Sequence, residues 1–193
     1  MKFKQDGRSM VEMLGVLAII GILSAGAMAG YSKAMFQHRI NQTIDIFNGV
    51  LQRFLELEQK GLGADLVMSG ADDIVKYGFL SNCQKTEYDE CKLPVGYIWF
   101  EVAHSNFFQF RIRFNSSKEC VAFSSADWKN AVPVGWWKAG YISIEEDDDY
   151  HLLYDPNNYY GYGVYDEITM DNIVQQCAKC DQKDCNFRIV YEE

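Results

Sequence analysis

The stretch Gly7-Arg8-Ser9-Met10-Val11-Glu12-Met13-Leu14-Gly15-Val16-Leu17-Ala18-Ile19-Ile20-Gly21 opens a run in which residues 13–30 carry no charge. Counted over 11–29, the only charged residue is Glu12. At about 1.5 Å per residue those positions make roughly 29 Å of helix, close to the ~30 Å hydrocarbon thickness of a bilayer. A buried core helix of that length keeps a polar stripe, and this run has none. No small-residue cleavage site follows it before the pattern changes at Tyr31, and no cysteine lies near it. An ordinary secretory signal and lipoprotein processing therefore both fit poorly. Lys2, Lys4 and Arg8 precede the run, which orients the amino end towards the cytoplasm.

Beyond Tyr31 the pattern becomes amphipathic. Phe36, Ile40, Ile44, Phe47, Leu51 and Phe54 recur in steps of three and four, the signature of one apolar stripe on a helix. Gly61-Leu62-Gly63 then stops the helix. The expected element is a single helix over 9–60, bare in its first half and packed on a head in its second. At ~1.5 Å per residue it would be near 80 Å long, so its bare half must be hidden by lipid or by sister helices. Inside the run Gly26 and Gly30 form a G-x-x-x-G pair, which lets helices approach closely.

The remainder is wet, acidic and aromatic-rich. A net charge of −9 argues against a nucleic-acid-binding surface. With 48% hydrophobic and 15% aromatic residues the chain is no disordered tail, and 3 prolines with 15 glycines exclude collagen-like readings. A short helix is expected at 71–77, closed by Gly78. Strands are expected at 97–103 and 107–114, where apolar and polar residues alternate, with His104-Ser105-Asn106 as the hairpin turn. Further strands are expected at 140–144, 150–154 and 187–191, and short helices at 117–126 and 169–177. The fold class is α+β: a long N-terminal helix laid on an antiparallel sheet.

The basic leader, Gly7, Glu12 five residues later and the uncharged run 13–30 together resemble the type IV prepilin family, which includes the pseudopilins of type II secretion. The wording is similar to a subgroup in which Arg opens the mature chain. The specific resemblance covers about residues 5–35, under a fifth of the chain. It implies a leader at 1–7, removed by a prepilin peptidase that cuts between Gly7 and Arg8, and N-methylation at Arg8. It implies a membrane half of helix 1 at 8–30, an amphipathic half at 31–60 and a pilin-like head at 61–193. It further implies single-pass residence in a bacterial inner membrane with the carboxy terminus outside the cytoplasm, then a periplasmic or extracellular filament. The partners implied are the peptidase, sister subunits and an inner-membrane assembly platform, with no nucleic acid. Glu12 is the implied assembly residue. Near a bilayer edge its charge costs less than the ~2.5–3.5 kcal/mol of the centre, in a fibre of apolar helices it needs a partner, and the resemblance implies that this partner is a neighbour's new amino terminus. The rival expectation is a periplasmic binding module on a permanent single-pass signal anchor.

Six cysteines, at 83, 91, 120, 177, 180 and 185, all lie beyond the apolar run and read as disulfides. Six allow 15 pairings, and sequence does not choose among them. The working arrangement is Cys83–Cys91, Cys120–Cys177 and Cys180–Cys185; the resemblance favours a long bridge of the Cys120–Cys177 type, stapling the carboxy-terminal region. Cys177-Ala178-Lys179-Cys180 lacks the βαβ setting of a redox C-x-x-C and the second pair a zinc site needs. The acidic run 145–149, with Asp155, Asn157 and Asn158, is read as a solvated hairpin tip; as a Ca²⁺ loop it lacks EF-hand spacing. His38, His104 and His151 are scattered, Ser124-Ser125 has no nucleophile-elbow context, and Gly161-Tyr162-Gly163 cradles no phosphate. The tyrosines between Tyr150 and Tyr165 are expected mostly in core and sheet packing, with some at a subunit contact or an adhesive patch. No catalytic residue, cofactor or metal is expected, and the chain is read as a structural protein rather than an enzyme.

Overall fold

The computed structural model describes residues 10–61, 68–102, 107–131, 137–144, 150–154, 169–181 and 185–192. Its first element, α1, spans Met10–Gln59 as one α-helix. The three prolines of the chain fall at 94, 133 and 156, so nothing in α1 removes a helical N–H. Each interior glycine weakens a helix by about 1 kcal/mol, yet α1 runs on through five of them. It ends where Gly61 takes a φ of +69° and its N–H donates to the Glu58 carbonyl at 2.8 Å. By compactness the chain divides into two units, one ending at Arg39 and one spanning Ile40–Glu193.

The second unit is built on an antiparallel sheet. Its strands are β1 (Met68–Ser69), β2 (Cys91–Lys92), β3 (Tyr97–Val102), β4 (Phe107–Phe114), β5 (Trp137–Ile144), β6 (Tyr150–Tyr154) and β7 (Cys185–Glu192). Their order is β1-β3-β4-β7-β5-β6, with β2 also paired to β3. The last strand thus inserts between β4 and β5. Among the described residues the unit also holds three short α-helices: α2 (Gly70–Lys76), α3 (Ser117–Ser124) and α4 (Met170–Cys177). The Ser116 side chain caps α3 by accepting from the Glu119 N–H, and Thr169 caps α4 through the Asn172 N–H.

Register explains the core. Ile98 pairs with Ile112, Phe100 with Phe110 and Val102 with Phe108; Phe110 in turn pairs with Ile189, and Ile112 with Phe187. With a period of two, the side chains of Ile98, Phe100, Phe108, Phe110, Ile112, Phe187 and Ile189 share one face. The stripe of α1 covers that face. Phe47 meets Phe110 at 4.8 Å, Phe123 at 5.8 Å and Trp128 at 4.7 Å, and Phe54 meets Phe108 at 3.9 Å between ring centroids. Phe123 stacks on Trp128 and reaches Phe114 and Phe187, which ties α3 into the same core. Cys83 is joined to Cys91, and Cys120 on α3 to Cys177 on α4. The second bond closes a loop 57 residues long, a constraint on the unfolded chain of about 4 kcal/mol by loop entropy.

Several expectations need adjustment. The buried stripe passes through Thr43, wholly buried, while Ile44 is only half-buried. Thr43 suits that place because its Oγ1 accepts the Val95 N–H at 3.0 Å, and Val50 joins the stripe two turns on. β5 begins at Trp137 rather than 140, past an irregularity between Trp137 and Ala139. β7 extends to 185–192 rather than 187–191, since its ladder with β4 continues from Cys185 to Glu192. The helix expected at 117–126 stops at Ser124. β1 and β2, two residues each, were not foreseen. The turn at 104–106, the acidic run 145–149 and residues 155–168 lie outside the described residues.

Candidate functional site

Each turn of the first part of α1 presents apolar side chains to solvent. Val11, Leu14, Leu17, Ile20 and Leu23 stand on different sides of the helix and are all more than half exposed. An 18-residue window of this stretch has a mean hydropathy of 2.1 and none of it is buried. It is long and apolar enough to cross a membrane, which by itself is a weak sign of an anchor. Apolar surface of this extent is unfavourable in water and marks a surface made for another apolar partner. Positions Gly15, Gly21, Gly26 and Gly30 face open space, where an added Cβ would meet nothing within 4 Å.

At the start of this surface sits Glu12, the acidic residue of the first turn. Four backbone N–H groups end unpaired at a helix amino terminus, and the helix dipole favours an anion there by about 0.3–1 kcal/mol. The carboxylate at the end of the uncharged run therefore stands in the first turn of α1, where the dipole lowers the cost of its charge. Gly7 and Arg8, the residues singled out for processing and methylation, lie outside the described residues.

A second polar constellation, which sequence reasoning missed, lies on the sheet face turned away from α1. Glu90 is 1% exposed. Arg113 grips it with a fork: Nε donates to Oε2 at 3.0 Å and Nη2 to the same oxygen at 2.6 Å. Arg111 adds Nη2 to Oε1 at 3.3 Å. The two arginines are two apart on β4 and so share a face; their guanidinium groups lie over Tyr97 at 4.5 Å and Trp99 at 4.9 Å, their cross-strand partners on β3. The arrangement holds the Cys83–Cys91 clasp onto the sheet. The signal available in sequence was Arg111 and Arg113 on the polar phase of an alternating strand, but nothing local pointed to Glu90.

Next to that clasp Lys85 bridges two acids, with Nζ to Asp72 at 2.5 Å and to Asp89 at 2.8 Å. Hydrogen bonding to Asp72, then to Asp89, holds the ammonium above its usual range. Asp89 has a φ of +59° and leans over Gly70, where an added Cβ would fall 1.8 Å from Asp89 Oδ2; only glycine fits there. In the core, burial pushes the Tyr191 phenol up, and its hydroxyl donates to the Trp128 carbonyl at 3.2 Å.

Among the described residues the remaining candidates are not gathered into a reacting set. Among the described residues His38 is the one histidine side chain, and it is exposed on α1. Ser124 is buried, and the Ser125 hydroxyl donates to the Ala122 carbonyl. The Sγ atoms of Cys120, Cys177 and Cys180 lie within 4.8 Å of one another. Cys120 and Cys177 are bonded together and Cys180 is also disulfide-bonded, so none is a thiolate ligand. The side chain of Cys185 lies outside the described residues, and with it the expected Cys180–Cys185 pair. Asp155, Asn157 and Asn158 do too. No protein-family model matches the chain, and no curated protein matches it.

Proposed function

We propose that this chain is a structural subunit of a type IV pilus or a type II secretion pseudopilus. The observation that carries the reading is the first part of α1: apolar on every side, unburied over an 18-residue window, and headed by a single acid. Such a surface is stable in lipid before assembly and against sister helices after it. The head supports the reading from the other side, because its disulfides belong to an oxidising compartment outside the cytoplasm.

In this account a prepilin peptidase cuts between Gly7 and Arg8. The cut removes the basic leader that holds the amino end at the cytoplasmic face. It also frees the amine of Arg8, which is then N-methylated. In the filament, that amine meets Glu12 of a neighbouring copy. A carboxylate among packed helices is strongly destabilising when unpaired, so cleavage and assembly are coupled: without the cut there is no terminal ammonium at the right depth. The chain works by polymerising, not by catalysis, with the membrane assembly platform feeding subunits into the fibre.

The test is Glu12→Ala in a filament-forming host. The variant should reach the membrane in normal amount with an unchanged head and be depleted from sheared filaments at least tenfold. Incorporation at the wild-type level would overturn the reading and favour a permanently anchored binding module.

A further inference from the structure

Three sulfur atoms meet where α3 approaches α4. Cys120 lies on α3, Cys177 is the last residue of α4, and Cys180 follows in the 3-10 turn Ala178–Asp181. All three are buried, and their Sγ atoms lie within 4.8 Å of one another. Cys177 is bonded to Cys120, and the sulfur of a second disulfide, that of Cys180, lies within 4.8 Å of both. Disulfides exchange by attack of a thiolate on a disulfide sulfur, so the protein has to supply a thiolate with access to that sulfur.

We propose that Cys177 is a branch point, able to pass its bond from Cys120 to Cys180, so that the carboxy-terminal staple has two closed forms. The exchange begins when the contact between α3 and α4 opens locally and a small monothiol, as its thiolate, attacks the otherwise buried Cys120 sulfur: Cys120 becomes a mixed disulfide and Cys177 leaves as a thiolate. The Cys177 thiolate then attacks Cys180 Sγ. The Cys177–Cys180 bond forms as the bond between Cys180 and its partner breaks, and that partner departs as a thiolate. Each step consumes one thiolate and one disulfide and returns one of each, so the exchange of Cys177 with Cys180 needs no oxidant. In the first form the staple spans α3 and α4. In the second it is local to the end of α4, and α3 is released. The long loop constrains the unfolded chain more than the short one, so the second form melts at a lower temperature. The device makes the link between the sheet-packed α3 and the carboxy-terminal region sensitive to thiols outside the cytoplasm.

Cys120→Ser in the full chain isolates the second step, because it leaves Cys177 as a thiol beside Cys180. The protein is purified without reductant, quenched in acid, alkylated with iodoacetamide and cut with trypsin, which cleaves after Lys179 and so separates Cys177 from Cys180. The expected result is a disulfide-linked pair of peptides carrying Cys177 and Cys180, with the alkyl group on the former partner of Cys180. An alkylated Cys177, with Cys180 still in its original bond, would overturn the proposal. Should the variant fail to fold, the wild-type chain is treated with limiting glutathione at pH 8 and mapped in the same way. The Cys177–Cys180 link should then accumulate in step with glutathione on Cys120. Glutathionylated Cys120 with alkylated Cys177 and no such link would refute it.

Discussion

Between Val11 and Leu23, α1 turns its leucines and isoleucines out to solvent; between Ile40 and Leu57 the same helix hides a stripe of comparable residues. Neither stretch is interrupted by proline, and both carry glycine, so helix propensity does not separate them. What separates them is distribution. The second stretch alternates its apolar positions with polar ones at helical spacing, so a sheet can cover one side and water the other. The first stretch has no side that water favours. The second stretch is covered within its own unit, and the first is exposed among the described residues.

The contrast is broken most severely from the covered side. Phe47 is fully buried among Phe110, Phe123 and Trp128, so Phe47→Ala should destabilise the head by about 3–5 kcal/mol. Thermal unfolding followed by near-ultraviolet circular dichroism measures this. Leu17→Ala, at an exposed position of the same helix, should leave head stability within ~0.5 kcal/mol and instead lower the yield of filaments. Equal losses of stability at the two positions would erase the distinction.

Glu90→Ala probes the other face of the sheet. It strands Arg113 and weakens the hold on the Cys83–Cys91 clasp, and it should cost about 3–5 kcal/mol in denaturant unfolding. Substituting Thr43 by Val keeps the shape of the stripe and removes the acceptor for the Val95 N–H. A buried donor left unsatisfied costs about 1–3 kcal/mol, so a smaller fall in stability is expected, without change in the α1 helix signal.

These positions also mark what was legible in sequence and what was not. The long helix and the β3–β4 pairing could be read because each rests on a local period. Thr43 was passed over because hydrophobicity alone ranks Ile44 higher; the Val95 N–H that makes a hydroxyl preferable is 52 positions away. Glu90 stayed hidden for a similar reason, being 23 residues from Arg113 and brought to it only by strand register. β1 and β2 have two residues each, too few to show alternation. Glu12, by contrast, could be singled out from sequence alone, because an isolated charge beside an uncharged run is conspicuous without any tertiary contact.

The smallest effect concerns pH. Tyr191 ionises with more difficulty in the folded head than in the unfolded chain, because burial raises its pKa. The unfolded tyrosine releases its proton near pH 10 while the native one keeps it, so the native state binds more protons above that pH. Its contribution is complete below about pH 10 and declines as pH rises further. The Lys85 pKa, raised by Asp72 and Asp89, acts in the same direction above its ordinary value of 10.5. Tyr191→Phe should flatten the alkaline limb of a melting-temperature profile between about pH 9 and 11, and leave the neutral limb shifted but parallel.

The account turns on whether the exposed part of α1 is prepared for a polymer by a proteolytic cut. The intact mass of the membrane-extracted chain, from a host with an active prepilin peptidase, measures this directly. The predicted species begins at Arg8 and carries one added methyl group. A chain that still begins at Met1, in a host that processes its other prepilins, would contradict it.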